Sequence, residues 1–527
     1  MTVPPPGPAG PRRPTGARTA TDPRTATAAP PSAAPPAAES APPPGCPAHA
    51  YGPGGLIRLY GPEAETDPMG LYERLRAQYG AVAPVLLHGD LPAWLVLGYR
   101  ENLDVARTPS RFSRDSRHWR AAREGRLTPD HPLAPVAAWQ PVCVFADGEE
   151  HERLRGALME SLGRFDRRGV RRQVTRFTAQ LVDGFCADGT VDLVKQFAEH
   201  LPMLVMTQLL GMPDSYGPKL VDAARDMIKG TETAVASNDY VMRSLGRLVA
   251  HRRSEPGPDL ASWLAQHPAG LTDDEVRQHL RLVLIAAYET TANLIANTLR
   301  MVLTDRRFRA SLAGGHMTVP DAVEQVLWDE PPFTAILGRW ATGDTELAGQ
   351  PVKAGDALLL GIAAGNMDPA VRPDPNVPIH GNRSHLAFSG GPHECPGQDI
   401  GRAIADTGID ALLSRLPDLR LAVPEDELSW ASSLMSRHLL ALPAEFTPRA
   451  RPRRTEPVPA TVPGARPAPA SGAAGFQPQA RTGAAPAAPQ EAIAPVPAVP
   501  VSRDPVPPAA PRPGWHRRVV RWLRGEG

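Results

Sequence analysis

The feature that most constrains the fold is the long segment Asp273–Leu303, which is apolar on nearly every side when it is wound as a helix. Thr272 and Glu275 give its start a capping-box pattern, in which each side chain accepts a hydrogen bond from a free backbone N–H of the first turn. A helix that is apolar all round has to lie inside the protein, because none of its faces favours water. The segment therefore predicts a central buried helix with other elements packed around it.

Proline and alanine divide the 527-residue chain into regions of different character. The 62 prolines are densest in residues 1–50 and 448–513, which contain few large apolar residues. Such segments cannot bury enough surface to offset the entropy of the chain, so both are predicted to be disordered. Residues 51–447 are predicted to form one folded domain.

Within that domain the apolar residues recur mostly at helical spacing, and the predicted fold class is mostly α with a minor β part. The predicted helices are Asp67–Gly80, Glu149–Leu162, Val170–Phe185, Val191–Leu210, Tyr240–His251, Asp273–Leu303, Pro320–Trp328 and a last one from just after Cys395 to Leu416; the predicted strands are Ala83–Leu87, Ala93–Leu97, Ala335–Trp340 and Glu346–Val352.

Charge and cysteine usage exclude several classes of protein. The net charge of +1 gives no global field that would attract nucleic acid or an anionic membrane. The four cysteines have no CxxC spacing, which argues against a disulfide scaffold or a zinc site. The first ten residues lack the apolar stretch of a signal peptide, and we find no continuous apolar run of about 18 residues. We therefore expect a cytoplasmic protein.

The loop Phe388–Gly397 is dense in glycine and carries Cys395 just before a predicted helix. Thiolates bind iron, and a helix N-terminus lowers the pKa of a thiol. Gly391 and Gly397 let the backbone approach a ligand closely, and backbone N–H groups of such a loop can donate to the sulfur. The alternative is a buried structural cysteine in a tight turn.

The full pattern F-x-x-G-x-H-x-C-x-G matches at Phe388, Gly391, His393, Cys395 and Gly397, and it closely resembles the cytochrome P-450 superfamily. The resemblance extends over residues 51–447. It implies the fold of that family, with haem b held between the long central helix and the cysteine-loop helix, and with the Cys395 thiolate as the ligand of the iron. Ser389 stands where the family often has glycine.

Further matches suggest residues that hold the haem propionates. His151 and Arg155 are four residues apart and share one face of a predicted helix. By resemblance they grip the propionates together with Arg339, and His385 and His393 match further positions nearby. Taken alone, His151 and Arg155 form only a basic helix face. His393 could instead donate a hydrogen bond to the carbonyls of its own loop.

Glu289 and Thr290 follow Ala286-Ala287-Tyr288 on the central helix. They resemble the family's acid–alcohol pair on the distal side of the haem, which implies that they deliver protons during oxygen activation. The alternative is a threonine that bonds the carbonyl four residues back, beside a glutamate in a buried ion pair. Ala287 stands where the family usually has glycine, so its methyl group narrows the cavity.

The helix that starts near Pro320 departs from the family's Glu-x-x-Arg pair. Gln325 and Trp328 occupy those two positions, and Val377 replaces the arginine that completes the charge network. This resembles a small actinobacterial subgroup with a Gln-x-x-Trp variant. Because removing a whole buried network strands no single charge, we expect Gln325 and Trp328 to brace the cysteine loop by packing.

Residues 514–527 form a basic tail. Wound as a helix, Trp515, Val519 and Trp522 share one face and arginines lie mostly on the other. This pattern favours contact with a membrane surface or a protein partner, and the alternative is a disordered tail that its arginines keep in solution.

The resemblance implies a haem-thiolate monooxygenase that inserts one atom of O2 into a small apolar organic substrate, in bacterial secondary metabolism. Its electrons would come from an external ferredoxin that docks near 151–155 and the cysteine loop. The alternative is a haem-binding regulatory or scaffold protein of the same fold with little or no turnover.

Overall fold

The structure is a computed structural model that describes residues 55–213, 216–229, 233–305, 314, 317–374, 377 and 381–451. The predictions for residues 1–50 and for the tail 514–527 lie outside these residues, as does nearly all of 448–513. The α-helices of the described part are α1 Pro62–Thr66, α2 Pro68–Tyr79, α3 Tyr99–Arg107, α4 Arg120–Arg123, α5 Ala134–Ala137, α6 Gly148–Gly163, α7 Arg167–Phe185, α8 His200–Leu210, α9 Gly217–Lys229, α10 Ala234–Ser254, α11 Leu260–Ala265, α12 Asp273–Thr304, α13 Val319–Asp329, α14 Ile362–Asn366 and α15 Gln398–Arg415.

The strands form one larger sheet and three small ones. The larger sheet has the order β1-β2-β3-β9-β6-β4, in which β1 runs parallel to β2 and β3 parallel to β9, and the other pairs are antiparallel. The small sheets are β10-β13-β5, β11-β12 and β7-β8. Their bounds are β1 Ile57–Arg58, β2 Val82–Leu87, β3 Leu91–Val96, β4 Phe112–Ser113, β5 Thr190–Asp192, β6 Ile336–Ala341, β7 Thr345–Leu347, β8 Gln350–Val352, β9 Ala357–Leu360, β10 Arg420–Leu421, β11 Trp430–Ser432, β12 Arg437–Leu439 and β13 Pro443–Glu445. The predicted class, mostly α with minor β, is confirmed.

The central helix α12 is where the sequence placed it. Thr272 and Glu275 form the capping box, and the helix runs to Thr304. It is long and apolar enough to cross a membrane by length and composition alone, but 61% of its most apolar window is buried inside the protein. It contacts α8, α10, α13 and α15, so it acts as the core around which the other helices pack.

The predicted helix Val191–Leu210 is wrong in its first half. Thr190–Asp192 form β5, which pairs with β13, and a π-helix over Val194–Ala198 leads into α8. The Asp192 side chain accepts hydrogen bonds from the backbone of Val194 and so turns the chain out of the strand. The partner strand lies about 250 residues away in sequence (Leu442 N–H also donates to Asp192), so no local pattern shows this pairing.

Strand β6 contains a bulge at Gly338. Leu337 pairs with Leu359 and Arg339 pairs with Leu358, so one residue between them has no counterpart on β9. Gly338 has φ +135°, and a Cβ there would lie 2.2 Å from Nη1 of Arg114. An extra residue reverses the alternation of faces along a strand. As a result Leu337 enters an apolar cluster and Arg339 faces a cavity.

Candidate functional site

Two adjoining cavities, of about 800 and 1000 Å³, lie between α12 and the cysteine loop. Both are lined on one side by Ala286 and Thr290 and on the other by Phe388 and Cys395. The first is also lined by Ala287 and is almost wholly apolar. The structure therefore brings the sulfur and the central helix to opposite walls of one space, as the sequence predicts.

The cysteine loop owes its shape to two residues with positive φ. Gly391 has φ +69°, and a Cβ there would lie 2.6 Å from the carbonyl oxygen of Ala106. Ser389 has φ 60° and ψ −152°, a region that side chains other than glycine rarely adopt. The backbone N–H of Cys395 donates to the carbonyl of Phe388 at 2.9 Å and closes the loop.

The pKa of the Cys395 thiol is raised, whereas the sequence predicts that a helix N-terminus lowers it. Burial raises its pKa, although a hydrogen bond from the backbone of Gly397 acts in the opposite direction. Helix α15 begins only at Gln398, so the sulfur lies before the first turn and gains little from the helix dipole. In the protein alone the thiol is therefore favoured, and a bound cation is needed to hold it as thiolate.

The second cavity has a basic end. Arg114, Arg155, Arg339 and His393 all line it. Arg339 is 3% exposed and, like Arg114 and Arg155, makes no ion pair with any carboxylate in the described residues. Burial lowers the pKa of Arg339, and the neighbouring Arg114 lowers it further. Buried cations without a protein anion indicate that this end of the cavity suits an anionic ligand.

Arg114 was missed by the sequence reasoning. Its guanidinium donates to the carbonyls of Val144 and Gly338 at 2.9 and 2.7 Å, and burial lowers its pKa to about 10. Nothing around Arg114 in the sequence marks it, because its place at the cavity depends on the pairing of β4 with β6 and on the bulge at Gly338.

His393 of the basic end contacts His151, which does not itself line either cavity. The rings of His151 and His393 are 4.1 Å apart, and His393 Nε2 lies 3.2 Å from Asp147 Oδ1. Burial lowers the pKa of His393 to about 3, despite the opposing effect of Asp147. Burial likewise lowers the pKa of His151, and its Nε2 is buried without a hydrogen-bond partner among the described residues. Both imidazoles are therefore neutral near pH 7, and His151 keeps a ring nitrogen for a ligand.

Glu289 and Thr290 lie in the middle of α12 and point to different surroundings. Thr290 lines both cavities, and its hydroxyl donates to the carbonyl of Ala286 at 2.8 Å. Burial raises the pKa of Glu289, and the hydroxyl of Ser436 donates to its carboxylate at 3.3 Å. No cation pairs with Glu289 among the described residues, so the alternative of a buried ion pair is wrong.

A different buried charge network, which the sequence reasoning did not predict, lies beside the positions of the missing one. Glu324, one residue before Gln325, is 4% exposed. Its carboxylate accepts from Arg402 Nε at 2.6 Å and lies 3.1 Å from His385 Nε2. The guanidinium of Arg402 also stacks on Phe388, 4.4 Å from the ring centre. This network has its own carboxylate, Glu324, and its cation Arg402 comes from α15, which the motif comparison did not include.

His385 therefore lies in this network rather than at the cavity. Its ring stacks edge-on against Trp328 and lies 5.6 Å from Phe388, and it is not among the residues that line either cavity. The prediction that His385 holds a propionate does not fit this position. Its neighbours show instead that it connects Glu324 to the cysteine loop.

Trp328 and Gln325 fill the places of the missing pair. Trp328 is 1% exposed, and its indole N–H donates to the carbonyl of Asn382 at 2.8 Å. Gln325 donates to Asp329, which also pairs with the buried Arg372. Val377 is 56% exposed and takes no part. The packing role expected for Trp328 agrees with its burial, while Gln325 acts through a hydrogen bond.

Comparisons with known proteins identify the family. The chain is 33% identical over 399 residues to nocardicin C N-oxygenase of Nocardia uniformis subsp. tsuyamanensis, covering 72% of this chain and 97% of that protein. It is 30% identical over 397 residues to 2-hydroxy-5-methyl-1-naphthoate 7-hydroxylase of Streptomyces carzinostaticus, covering 73% and 96%. No family model matches the chain.

Solved structures agree. CYP154A1 from Streptomyces coelicolor A3(2) superposes with a TM-score of 0.64 at 30% identity, covering 73% of this chain and 99% of that one. CYP154C4 from Streptomyces sp. W2061 superposes with a TM-score of 0.66 at 27% identity, covering 74% and 97%. The chain belongs to the cytochrome P450 family. It is a monooxygenase that incorporates oxygen from O2, and membership of the family implies the use of haem.

Proposed function

We propose that the Cys395 thiolate is the protein ligand of the iron of haem b, bound in the space between α12 and the cysteine loop. The single observation that carries this assignment is that Cys395 of the cysteine loop and Thr290 of α12 line the same two cavities. When bound, the haem supplies the redox chemistry of oxygen activation. Phe388 packs beside the ring, and the positive-φ turn at Gly391 holds the loop that presents the sulfur.

The basic end of the cavity would hold the propionates of the haem. Arg114, Arg155 and Arg339 would supply the cations. The neutral His393 and, in contact with it, His151 would supply ring nitrogens. The support is electrostatic, because the buried Arg339 has no carboxylate partner in the described residues and two carboxylates of the ligand would compensate it. His385 is not part of this set.

Glu289 and Thr290 are the catalytic pair. Thr290 faces the cavity and positions a hydrogen-bonding hydroxyl on the distal wall. Burial raises the pKa of Glu289, which keeps a proton available on its carboxyl group at a higher pH than usual. Together they move protons from the protein to the reacting oxygen while the apolar wall, including Ala287, excludes bulk water.

The substrate is a small apolar organic molecule of bacterial secondary metabolism. The apolar lining of the first cavity, by residues such as Leu282, Val283 and Met206, supports an apolar substrate. The relatives support the pathway class, since nocardicin C N-oxygenase and mycinamicin IV hydroxylase/epoxidase are among them. A cytoplasmic location fits such a role.

An external ferredoxin supplies the electrons. A surface groove behind the cysteine loop is lined by Met159, Arg167, Pro396 and Asp399, and Pro396 also lines the first cavity. Met159 is 46% exposed, so the groove offers an apolar anchor and the charged side chains of Arg167 and Asp399 beside Pro396, the residue that follows the ligand cysteine. The buried His151 is not part of this surface, which shifts the docking face from the predicted 151–155 segment toward the C-terminal end of α6 and the start of α15.

The test is the absorption spectrum of the reduced protein with carbon monoxide. Wild type is expected to give the red-shifted band of a thiolate-ligated haem, and Cys395→Ser to lose it. Cys143→Ser is the matched control, because Cys143 lines the same cavity and its loss is expected to leave the band. Loss of the band in Cys143→Ser with retention in Cys395→Ser would contradict the assignment.

Turnover is tested with a surrogate ferredoxin, its reductase and NADPH. Testosterone and vitamin D3, named for relatives and neighbours of the chain, serve as first members of a broad panel of apolar probes. Hydroxylated products support the monooxygenase. A normal thiolate spectrum without product from any probe, with electrons or with peroxide, would favour a haem-binding regulatory or scaffold protein.

A further inference from the structure

The hairpin of β11 and β12 reaches the acid of the central helix through a serine. Ser436 is 3% exposed, and its hydroxyl donates to Oε1 of Glu289 at 3.3 Å. Within the part of the chain that the structure describes, this is the sole hydrogen bond to that carboxylate, and Glu289 does not line either cavity. The acid group thus faces the hairpin, whereas Thr290 beside it faces the cavity.

A second serine continues the path outward. Ser433 Oγ lies 3.2 Å from Ser436 Oγ, and it is only half buried. Its position is fixed by the turn, because it accepts hydrogen bonds from the backbone N–H groups of Met435 and Ser436 at 3.3 and 3.1 Å. Three oxygen atoms, on Ser433, Ser436 and Glu289, therefore form a continuous chain from the protein surface to the middle of α12.

We infer that Ser433 and Ser436 form a hydroxyl relay through which solvent protons reach the carboxylate of Glu289. The inference rests on the proposed function, in which Glu289 gives up protons during each turnover. For each proton that leaves Glu289, Ser436 passes its proton to the carboxylate, Ser433 reprotonates Ser436, and a hydronium ion of the solvent reprotonates Ser433 and becomes water. Both hydroxyls then rotate back, so the net change is the transfer of one solvent proton to Glu289, and no electron moves.

The surroundings of the two serines favour proton transfer along their hydroxyls over proton exchange with bulk water. Leu434 and Met435, the two residues between the serines, pack in the same apolar cluster as Leu282 of α12. Bulk water is therefore excluded on that side, and the hydroxyls provide the polar route. The competing interpretation is that Ser436 only ties the hairpin to α12, in which case Ser433 has no influence on Glu289.

The contact is tested by infrared difference spectroscopy of the holoprotein. The carbonyl stretch of protonated Glu289 is assigned by its absence in Glu289→Gln. A hydroxyl that donates to the carboxyl lowers this frequency, so Ser436→Ala is expected to raise it and Ser436→Thr to restore it. The control Ser432→Ala, in the same hairpin, is expected to leave it unchanged. An unshifted band in Ser436→Ala overturns the inference, whether or not the protein turns over any probe.

The relay itself is tested by the share of electrons lost as hydrogen peroxide during turnover. Ser433→Ala and Ser436→Ala are expected to raise this share several-fold over wild type and Ser432→Ala, and the threonine variants to reverse the increase. Oxidation driven by added hydrogen peroxide is expected to stay unchanged, because peroxide brings its own protons. If Ser433→Ala loses the same share of electrons as wild type while Ser436→Ala shifts the carbonyl stretch of Glu289, Ser436 only holds the hairpin against α12. That result would overturn the relay. Failure of the proposed function would show separately, as a wild-type protein without the carbon monoxide band.

Discussion

Replacing Glu324 by glutamine removes the charge at the centre of the network that braces the cysteine loop. Burial alone would raise the pKa of this carboxyl, but hydrogen bonds from His385 and Arg402 outweigh it and lower the pKa from 4.5 to about 2. Each unit of pKa difference between the folded and unfolded states corresponds to about 1.4 kcal/mol. The ionised carboxylate therefore contributes about 3 kcal/mol to the free energy of unfolding near pH 7.

The lowered pKa of Glu324 also determines how the free energy of unfolding depends on pH. A lowered folded-state pKa stabilises the protein above the unfolded pKa of 4.5, and the contribution disappears as the pH falls toward the folded value of about 2. We expect Glu324→Gln to cost about 3 kcal/mol at pH 7 and about 2 kcal/mol at pH 3.5, because part of the wild-type advantage has been lost there.

The measurement is urea unfolding of the holoprotein at several pH values, followed by tryptophan fluorescence and far-ultraviolet circular dichroism, whose transitions should coincide. Glu425→Gln is the matched control, because Glu425 pairs with Arg300 but its side chain is 50% exposed, and it is expected to cost less than about 1 kcal/mol. A cost for Glu324→Gln below that of the control, or one that is identical at pH 7 and pH 3.5, would refute the reasoning.

Three other substitutions follow from the same site. Trp328→Ala empties a fully buried position and leaves the Asn382 carbonyl without its donor, so it is expected to cost about 3–5 kcal/mol in urea unfolding; a cost under about 1 kcal/mol would show that Trp328 braces nothing. Ser389→Gly removes the backbone strain of a serine at φ 60° and ψ −152°. After the entropic cost of a glycine in the unfolded chain is subtracted, the free energy of unfolding is expected to rise by about 1 kcal/mol. A lowered melting temperature would contradict this. Arg339→Met removes a buried cation, so it is expected to stabilise the haem-free protein or leave it unchanged while speeding haem transfer to apomyoglobin about tenfold or more. The opposite pair of effects would exclude Arg339 from the propionate site.

The sequence predicted best those features of the fold and the site that depend on residues close together in the chain. The start of α12 follows from its capping box and its length from a continuous apolar composition, and both agree with the structure almost to the residue. The cysteine loop was recognisable because its residues are contiguous. Their chemistry requires a fixed spacing that survives in the sequence, so Cys395 and Thr290 could be assigned to opposite sides of one site.

What the sequence could not show depends on contacts between distant segments. Arg402 of α15 pairs with Glu324 of α13 across about 80 residues of sequence, and Arg114 reaches the cavity only because β4 pairs with β6. The pKa of Cys395 likewise depends on burial by several elements rather than on the helix that follows it. A motif comparison registers a missing residue at its own position, but it cannot register compensation from elsewhere in the fold.

The bulge at Gly338 makes the location of the cavity's buried cation depend on the backbone conformation of one residue. If Gly338 paired with β9 in a regular ladder, Arg339 would share a face with Leu337 and enter the apolar cluster, although every side chain would be chemically unaltered. A residue with a Cβ at position 338 would meet the guanidinium of Arg114 and would be strained at this positive φ. The conformational freedom of this glycine, more than the chemistry of its neighbours, therefore sets the limit on how far β6 can diverge while the protein keeps its ligand.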